Sequence, residues 1–262
     1  MQSDYKPILY NIEKSDNATI YFIHDLHYGN RNFDSRKWND LLDMILKDPN
    51  SYVVFIGDMM ENVVPNSKGD IFYQEVDPHE QKMWVTGVFK QLADKIICVT
   101  DGNHERNRTT KYTGMFPLYD ACLMAGIADR YRPHFCVVDI GIGKRKDSGC
   151  GRAVHYVGFA VHRATDQVKF HSCDALEGFD FFAFGHDHAP KDKPRGKLVF
   201  DTKNKTLREK DIEVINCGSF LNYGGYAPDS AYRPSATKIY KMIIGGDEKW
   251  IETVGFHTRR SV

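Results

Sequence analysis

The 262-residue chain balances 35 Lys and Arg against 35 Asp and Glu, for a formal net charge of zero, and 42% of its residues are hydrophobic. That composition suits a folded chain with a substantial core, and it excludes a global basic field that would by itself draw the protein onto nucleic acid or anionic lipid. The leading MQSDYKPILYNIEKSD has no apolar h-region and no stretch approaches the ~18 apolar residues of a membrane span, so a cytoplasmic protein without membrane contact is expected.

Through the first half, short runs rich in Val, Ile, Phe and Tyr alternate with helical patterns, which predicts βα units and a largely parallel sheet. ATIYFI (18–23) reads as a buried strand. SRKWNDLLDMILKD (35–48) sets Trp38, Leu41, Leu42, Ile45 and Leu46 on one helical face, with Ser35 as N-cap. YVVFI (52–56) is the next strand. In residues 77–95, Asp77 and Glu80 have capping-box spacing, Pro78 fits the first helical position, and Trp84, Val88 and Leu92 recur at helical intervals. KIICVT (95–100) is a third strand and PLYDACLMAGI (117–127) a third helix, with Gly126 near its end.

From residue 134 the runs become strand-like: HFCVVDIGIG, AVHYVGFAVH, FFAFG, GKLVFD, DIEVIN, TKIYKMII and KWIETVGF. Turn signals such as GKRKDSGCG, TKNK and GGDEK separate them. With no repeat, low-complexity tract or linker, residues 1–262 read as a single domain, parallel-rich first and antiparallel-rich second. The six cysteines contain no C-x-x-C pair, which argues against a thiolate zinc site and a disulfide framework.

The chemistry lies where the apolar runs end. YFI leads into HDLH, VVFI into GDMMEN, IICVT into DGNHE, GFAV into HR, and FFAF into GHDH. Groups at the carboxyl ends of neighbouring strands in an α/β sheet converge on one crevice, so these Asp, Asn and His residues can meet. Carboxylate, amide oxygen and imidazole without thiolate suit manganese, iron, zinc or nickel better than calcium or copper(I).

This order of motifs resembles the calcineurin-like metallophosphoesterases: D-x-H at Asp25 and His27, GD at Gly57 and Asp58, GNH plus an acid at 102–105, a His after a strand at His162, and GH-x-H at 185–188. The resemblance implies a four-layer α/β/β/α fold, two mixed sheets packed face to face with helices outside. It also implies two divalent metal ions, manganese being favoured. Asp25, His27, Asp58 and His188 would hold one, and Asp58, Asn103, His162 and His186 the other, with Asp58 as bridge. His104 is similar to the family's His that gives a proton to the departing alkoxide, a task suited to an ordinary imidazole pKa near ~6.5.

Other residues carry weaker signals. His171 competes with His162 for the same ligand place. His24, His79, His134, His155 and His257 read as packing or surface residues. Glu61 and Asn62 fit the orientation of ligands from behind, and Glu105 is either the partner of His104 or a loop ion-pair group. Arg106, Arg108 and Lys111 form a basic loop that is either solvated or a clamp for a substrate phosphate. Tyr223 or Tyr226 is a candidate for stacking on a base.

Phosphoprotein phosphatases of the superfamily carry an Arg-Gly pair that GDMMENVV lacks, and Glu61 stands where the DNA-repair exonucleases usually place a His. The chain looks most like the small phage and prophage members. A phosphodiesterase or nuclease acting on a phosphoester substrate, with nucleic acid among the candidates, is the first expectation and a phosphomonoesterase the second. A non-catalytic protein-binding scaffold on the same fold is the alternative that a retained His104 opposes.

Overall fold

β1 (Ile8–Glu13), a half-exposed strand whose mixed pattern the sequence did not announce, leads into the buried β2 (Asn17–Ile23). Next come α1 (Ser35–Lys47), β3 (Ser51–Ile56), α2 (Pro78–Gln91), β4 (Ile96–Thr100), α3 (Lys111–Thr113), α4 (Pro117–Met124) and the two-residue β5 (Tyr131–Arg132). The second half supplies β6 (Phe135–Gly143), β7 (Val154–His162), β8 (Phe181–Gly185), β9 (Lys191–Asp192), β10 (Arg195–Asp201), β11 (Thr206–Asn216), β12 (Ile239–Gly245) and β13 (Ile251–Phe256). This computed structural model describes residues 4–13, 15–65, 71–143, 153–162, 173–224 and 238–258. His171, Tyr226, Cys150 and most of the GKRKDSGCG turn lie outside them.

Two mixed sheets result. One has six strands in the order β13-β12-β2-β3-β4-β5, the other seven in the order β1-β6-β7-β8-β11-β10, with β9 also on β11. In the first, β2, β3, β4 and β5 run parallel and the C-terminal hairpin adds antiparallel to β2. The second departs from the antiparallel expectation, because β7, β8 and β11 are parallel neighbours. That departure matters, since it sends the ends of β7 and β8 to the same edge.

The sheets pack face to face, as Phe22 of β2 against Phe181 of β8 shows, with ring centroids 5.7 Å apart. One apolar cluster runs through both, from Ile20, Val54 and Val99 to Ile140, Ala160 and Ile215. Strands covered on both faces read as continuous apolar runs, which is why β3 and β4 are almost free of polar residues. α1 and α2 lie on the outer face of the six-stranded sheet, with Trp38 beside Trp84 and Phe89 beside Phe55. The outer face of the other sheet carries a second cluster, Phe159, Phe182, Phe184 and Val214, covered by Cys173, Leu176 and Phe179.

Local signals held with small corrections. Asp34, not Ser35, caps α1, because its carboxylate is the group that reaches the backbone N–H of Lys37 at 3.0 Å. Leu46 is exposed, and the buried stripe of α1 is Lys37, Trp38, Leu41 and Ile45, with the Lys37 ammonium donating to the Ser219 carbonyl at 2.6 Å. Asp77 caps α2 as expected, accepting from His79 and Glu80. Gly126, at φ +77°, closes α4. No helix of the described residues is long and apolar enough to cross a membrane.

Candidate metal centre

β2, β3 and β4 lie side by side and parallel, so the residues after them leave the same edge, and the chain keeps them in step beyond the strands. The Asp25 N–H donates to the Gly57 carbonyl at 3.2 Å and the His27 N–H to the Asp58 carbonyl at 2.9 Å. Across the core, β7 ends at His162 and its parallel neighbour β8 delivers His186 and His188.

Backbone strain marks the junction. Asp25, His27, Asp58, His186 and His188 have φ of 49°, 52°, 49°, 91° and 54°, left-handed values that L-residues adopt rarely and at a cost of order 1–3 kcal/mol each. Elsewhere among the described non-glycine residues only Asn62 and Lys205 share the region. Close approach also demands glycine: a Cβ on Gly57 would sit 2.3 Å from the Gly102 nitrogen, and one on Gly102 2.0 Å from Asp58 Oδ1.

The structure brings six of the seven sequence-predicted ligands into two sets whose donor atoms lie within 4.8 Å of one another: Asp25, His27 and His188, and Asp58, His162 and His186. Asp25 Oδ1 is 3.1 Å from His162 Nε2, 3.5 Å from His188 Nε2 and 3.6 Å from His27 Nε2. Asp58 Oδ2 is 3.4 Å from His162 Nε2. Within each set the separations of 3.4–3.6 Å approach the roughly 3.0–3.6 Å between donors bonded at ~2.0–2.2 Å to a common cation, while the 3.1 Å from Asp25 to His162 links the two sets. The seventh, Asn103, follows β4, and its buried Oδ1 has no hydrogen-bond partner, a cost that a cation would remove. A third set, His27, Asp58 and His104, overlaps the first two.

Charge supports the fit. Asp25, Asp58, Glu61 and Glu105 are all buried within this one edge. Burial, with Glu105 and Asp25 adding to it, pushes the Asp58 carboxyl well above the usual carboxylate range. Burial would do the same to Asp25, but His188, His24 and His162 hold it well below. For His27, burial acts downward and is outweighed by the Asp25 and Glu61 carboxylates, which raise it to about 10, while burial takes His162 down to about 4. His162 therefore offers a free lone pair at neutral pH, whereas His27 must lose a proton to bind a cation. Divalent-metal affinity is accordingly expected to weaken as pH falls from about 10, with protons released on binding; calorimetry in buffers of different ionisation enthalpy reads both, and a pH-independent affinity would contradict the assignment of His27.

The residues behind the ligands resolve two open points. Glu105 is neither a partner of His104 nor a loop ion-pair group. Its carboxylate accepts from the backbone N–H groups of Asp58, Met59, Met60 and Gly102 at 2.9–3.2 Å, fixing the two loops against each other. His104 is oriented by Glu61, whose carbonyl lies 2.8 Å from Nδ1, and its own N–H donates to Asp58 Oδ1 at 2.8 Å. Glu61 Oε2 also faces His27 Nδ1 at 3.2 Å, the outer contact that sets a ligand imidazole's tautomer. Burial of Glu61 is more than offset by His27, His104 and Arg108, which keep it ionised.

The basic loop is not a loop. Residues 104–110 form a π-helix, a form that recurs at functional sites. Arg108 turns inward and donates to the Glu61 carbonyl at 2.7 Å and to its carboxylate at 2.8 Å. Arg106 donates to the Gly102 carbonyl at 3.2 Å and lies 3.2 Å from His134 Nδ1. Lys111 is exposed, over the Tyr112 ring.

Sequence reading missed two contributors. His24, set aside as a packing residue, is buried with Nδ1 against Asp25 Oδ2. Asn216, at the end of β11, donates to the Asp187 carboxylate and the Ala189 carbonyl, pinning the loop that carries His186 and His188. The rule that a strand end precedes a polar residue took in His24 as the first residue of HDLH, but the D-x-H pattern beside it gave it no role, and the IN ending of DIEVIN leads into no His or acid.

No protein-family model matches the chain, and no curated protein matches it. Among solved structures, the chain is similar to one titled "Crystal structure of metallophosphoesterase from Sphaerobacter thermophilus", with 12% sequence identity and a TM-score of 0.43 over 92% of this chain and 89% of that one.

Proposed function

We propose that this protein is a divalent-metal-dependent phosphoester hydrolase, and within that class a phosphodiesterase or nuclease. The observation that carries the reading is Asp58, buried with a left-handed backbone, in one donor set with His162 and His186 and in another with His27 and His104. Asp25, His27, Asp58 and His188 would hold one cation, and Asp58, Asn103, His162 and His186 the other. Divalent cations held there supply Lewis acidity toward a phosphoryl oxygen and make water acidic enough to attack at neutral pH, manganese being the favoured ion.

The chain's own groups do the rest. Asn103 contributes a neutral oxygen, which limits the negative charge facing an anionic ester. Glu105 removes slack between the loops of Asp58 and Asn103. As the phosphorus–oxygen bond to the leaving group breaks, His104 passes a proton from Nε2 to the departing alkoxide, with Nδ1 held by the Glu61 carbonyl. The ordinary pKa expected from sequence does not apply, since burial and the charge on His27 push this imidazole well below its usual value. Nε2 therefore carries no proton in the free protein at neutral pH, and the negative charge of a bound phosphoester would have to raise the imidazole so that it takes up a proton from solvent before giving it to the alkoxide.

A manganese-supplemented screen with a chromogenic diester, a chromogenic monoester, and single- and double-stranded DNA tests the reading. Turnover of a diester or DNA that chelation abolishes and manganese restores is expected. Monoester turnover alone would move the assignment to a phosphatase, and turnover in the demetallated protein would end it.

The two arginines should part company. Arg108→Ala frees the Glu61 carboxylate next to His27, so roughly tenfold or greater losses in kcat are expected on a small diester and an oligonucleotide alike. Arg106→Ala and Lys111→Ala should raise KM for the oligonucleotide, flatten its salt dependence and spare the small diester. Equal effects of Arg106→Ala on both substrates would remove it from substrate binding.

A further inference from the structure

β11 is 11 residues long, yet only Glu213–Asn216 pair with β8. Its first seven residues, 206–212, pair with β10 alone, so Arg195–Asp201 and Thr206–Ile212 form a two-stranded ribbon running past the sheet. Such a ribbon is marginal in water by itself, and the edge of β10 that no strand among the described residues pairs is a template for another strand. Of the usual guards β10 keeps charged residues, Arg195, Lys197 and Asp201, but it has no proline within it and its register with β11 is continuous over seven pairs.

One face of the ribbon carries exposed apolar side chains beside two carboxylates, Glu209 opposite Leu198 and Asp211 opposite Gly196. Leu198, Phe200 and Leu207 are 69%, 54% and 66% exposed, and Phe200 stands directly opposite Leu207. Gly196 shares this face.

We infer that β10 is the edge along which a second copy of this chain pairs, antiparallel, about a two-fold axis at Leu198. The occupant is argued from the strand's own complementarity. With that axis, Arg195 faces Asp201 of the other copy twice over, Leu198 faces Leu198, Lys197 lays its stem by Val199, and the Phe200 ring covers the bare Gly196. Opposite charges and aromatic cover over glycine are the pairs that stabilise and fix register between strands. Of the neighbouring symmetric registers, an axis at residue 197 sets Lys197 against itself, and one at 199 keeps Lys197 against Asp201 but moves Arg195 off β10 to face Lys203. Arg195 also bonds Asp174 at 2.6 Å, which holds the guanidinium at the strand's end. The joined ribbons make one four-stranded sheet with a shared apolar stripe. The inference is independent of the phosphoesterase reading.

Sedimentation velocity of the full-length protein over a hundredfold concentration range tests it, and a monomer–dimer equilibrium is expected. Leu198→Lys should raise the dissociation constant at least tenfold. Opposed residues of antiparallel strands have Cα atoms ~4.5–5.5 Å apart, so Leu198→Cys should form an intermolecular disulfide on oxidation while Leu9→Cys, on the exposed far edge, does not. Arg195→Asp and Asp201→Arg should each weaken the dimer, and mixing the two variants should restore it, because the mixed pair carries only opposite charges. A monomer at every concentration, a dimer indifferent to Leu198→Lys, or no recovery on mixing would each overturn the inference.

Discussion

Asp58→Asn is expected to cut the hydrolytic rate by roughly 10²–10⁴-fold and to remove at least one metal ion per chain, while the metal-free protein becomes no less stable. A carboxylate there would offer an anionic oxygen to each cation; an amide would bring one neutral oxygen and a pair of N–H donors that a cation repels. In the metal-free protein the same carboxylate is a liability, buried beside Asp25 and Glu105 with its carboxyl pushed well above the usual range. Removing that charge should leave the melting temperature of the metal-free form unchanged or raised by ~2–4 °C for each kcal/mol relieved. Loss of activity together with retained stability is the signature of a residue kept for chemistry. If rate and metal content both survive, Asp58 is not the shared ligand.

What the sequence made legible depended on whether a signal was local. The strands β2, β3 and β4 and the Asp77 cap of α2 were readable because burial on both faces and cap chemistry leave their mark within a few residues. Placement of the polar residues after strand ends followed from one topological rule, and the structure does set Asp25, His27, Asp58, His162, His186 and His188 together. Long-range choices were not readable. β1 has no strong pattern because it is a half-exposed edge, and its partner β6 lies more than a hundred residues away. The parallel pairing of β7, β8 and β11 depends on connections rather than composition, so an antiparallel second half was the natural expectation. The inward turn of Arg108 was invisible for a related reason. A basic run looks solvated until the π-helix of 104–110 and the Glu61 carboxylate are seen to meet.

His104→Ala is expected to keep both metal sites and to slow the cleavage of poor leaving groups by about 10²–10⁴-fold, the usual range for a positioned acid. A nitrophenolate departs without a proton, so its loss should be much smaller than that for a nucleotide alkoxide. The contrast separates His104 from Asn103 one position earlier, whose substitution should lower metal affinity and affect every substrate alike. It also decides among the overlapping donor sets, since His27, Asp58 and His104 themselves lie close enough to share a cation. Equal losses on both substrates, with metal lost as well, would make His104 a ligand instead.

Diffraction from manganese-loaded crystals, recorded at the manganese absorption edge, shows whether Asp58 is the shared ligand. Two anomalous peaks per chain are expected about 3.5–4 Å apart with the Asp58 carboxylate between them, one bounded by Asp25, His27 and His188 and the other by Asn103, His162 and His186. A single peak remote from Asp58, or none at saturating manganese, would contradict it.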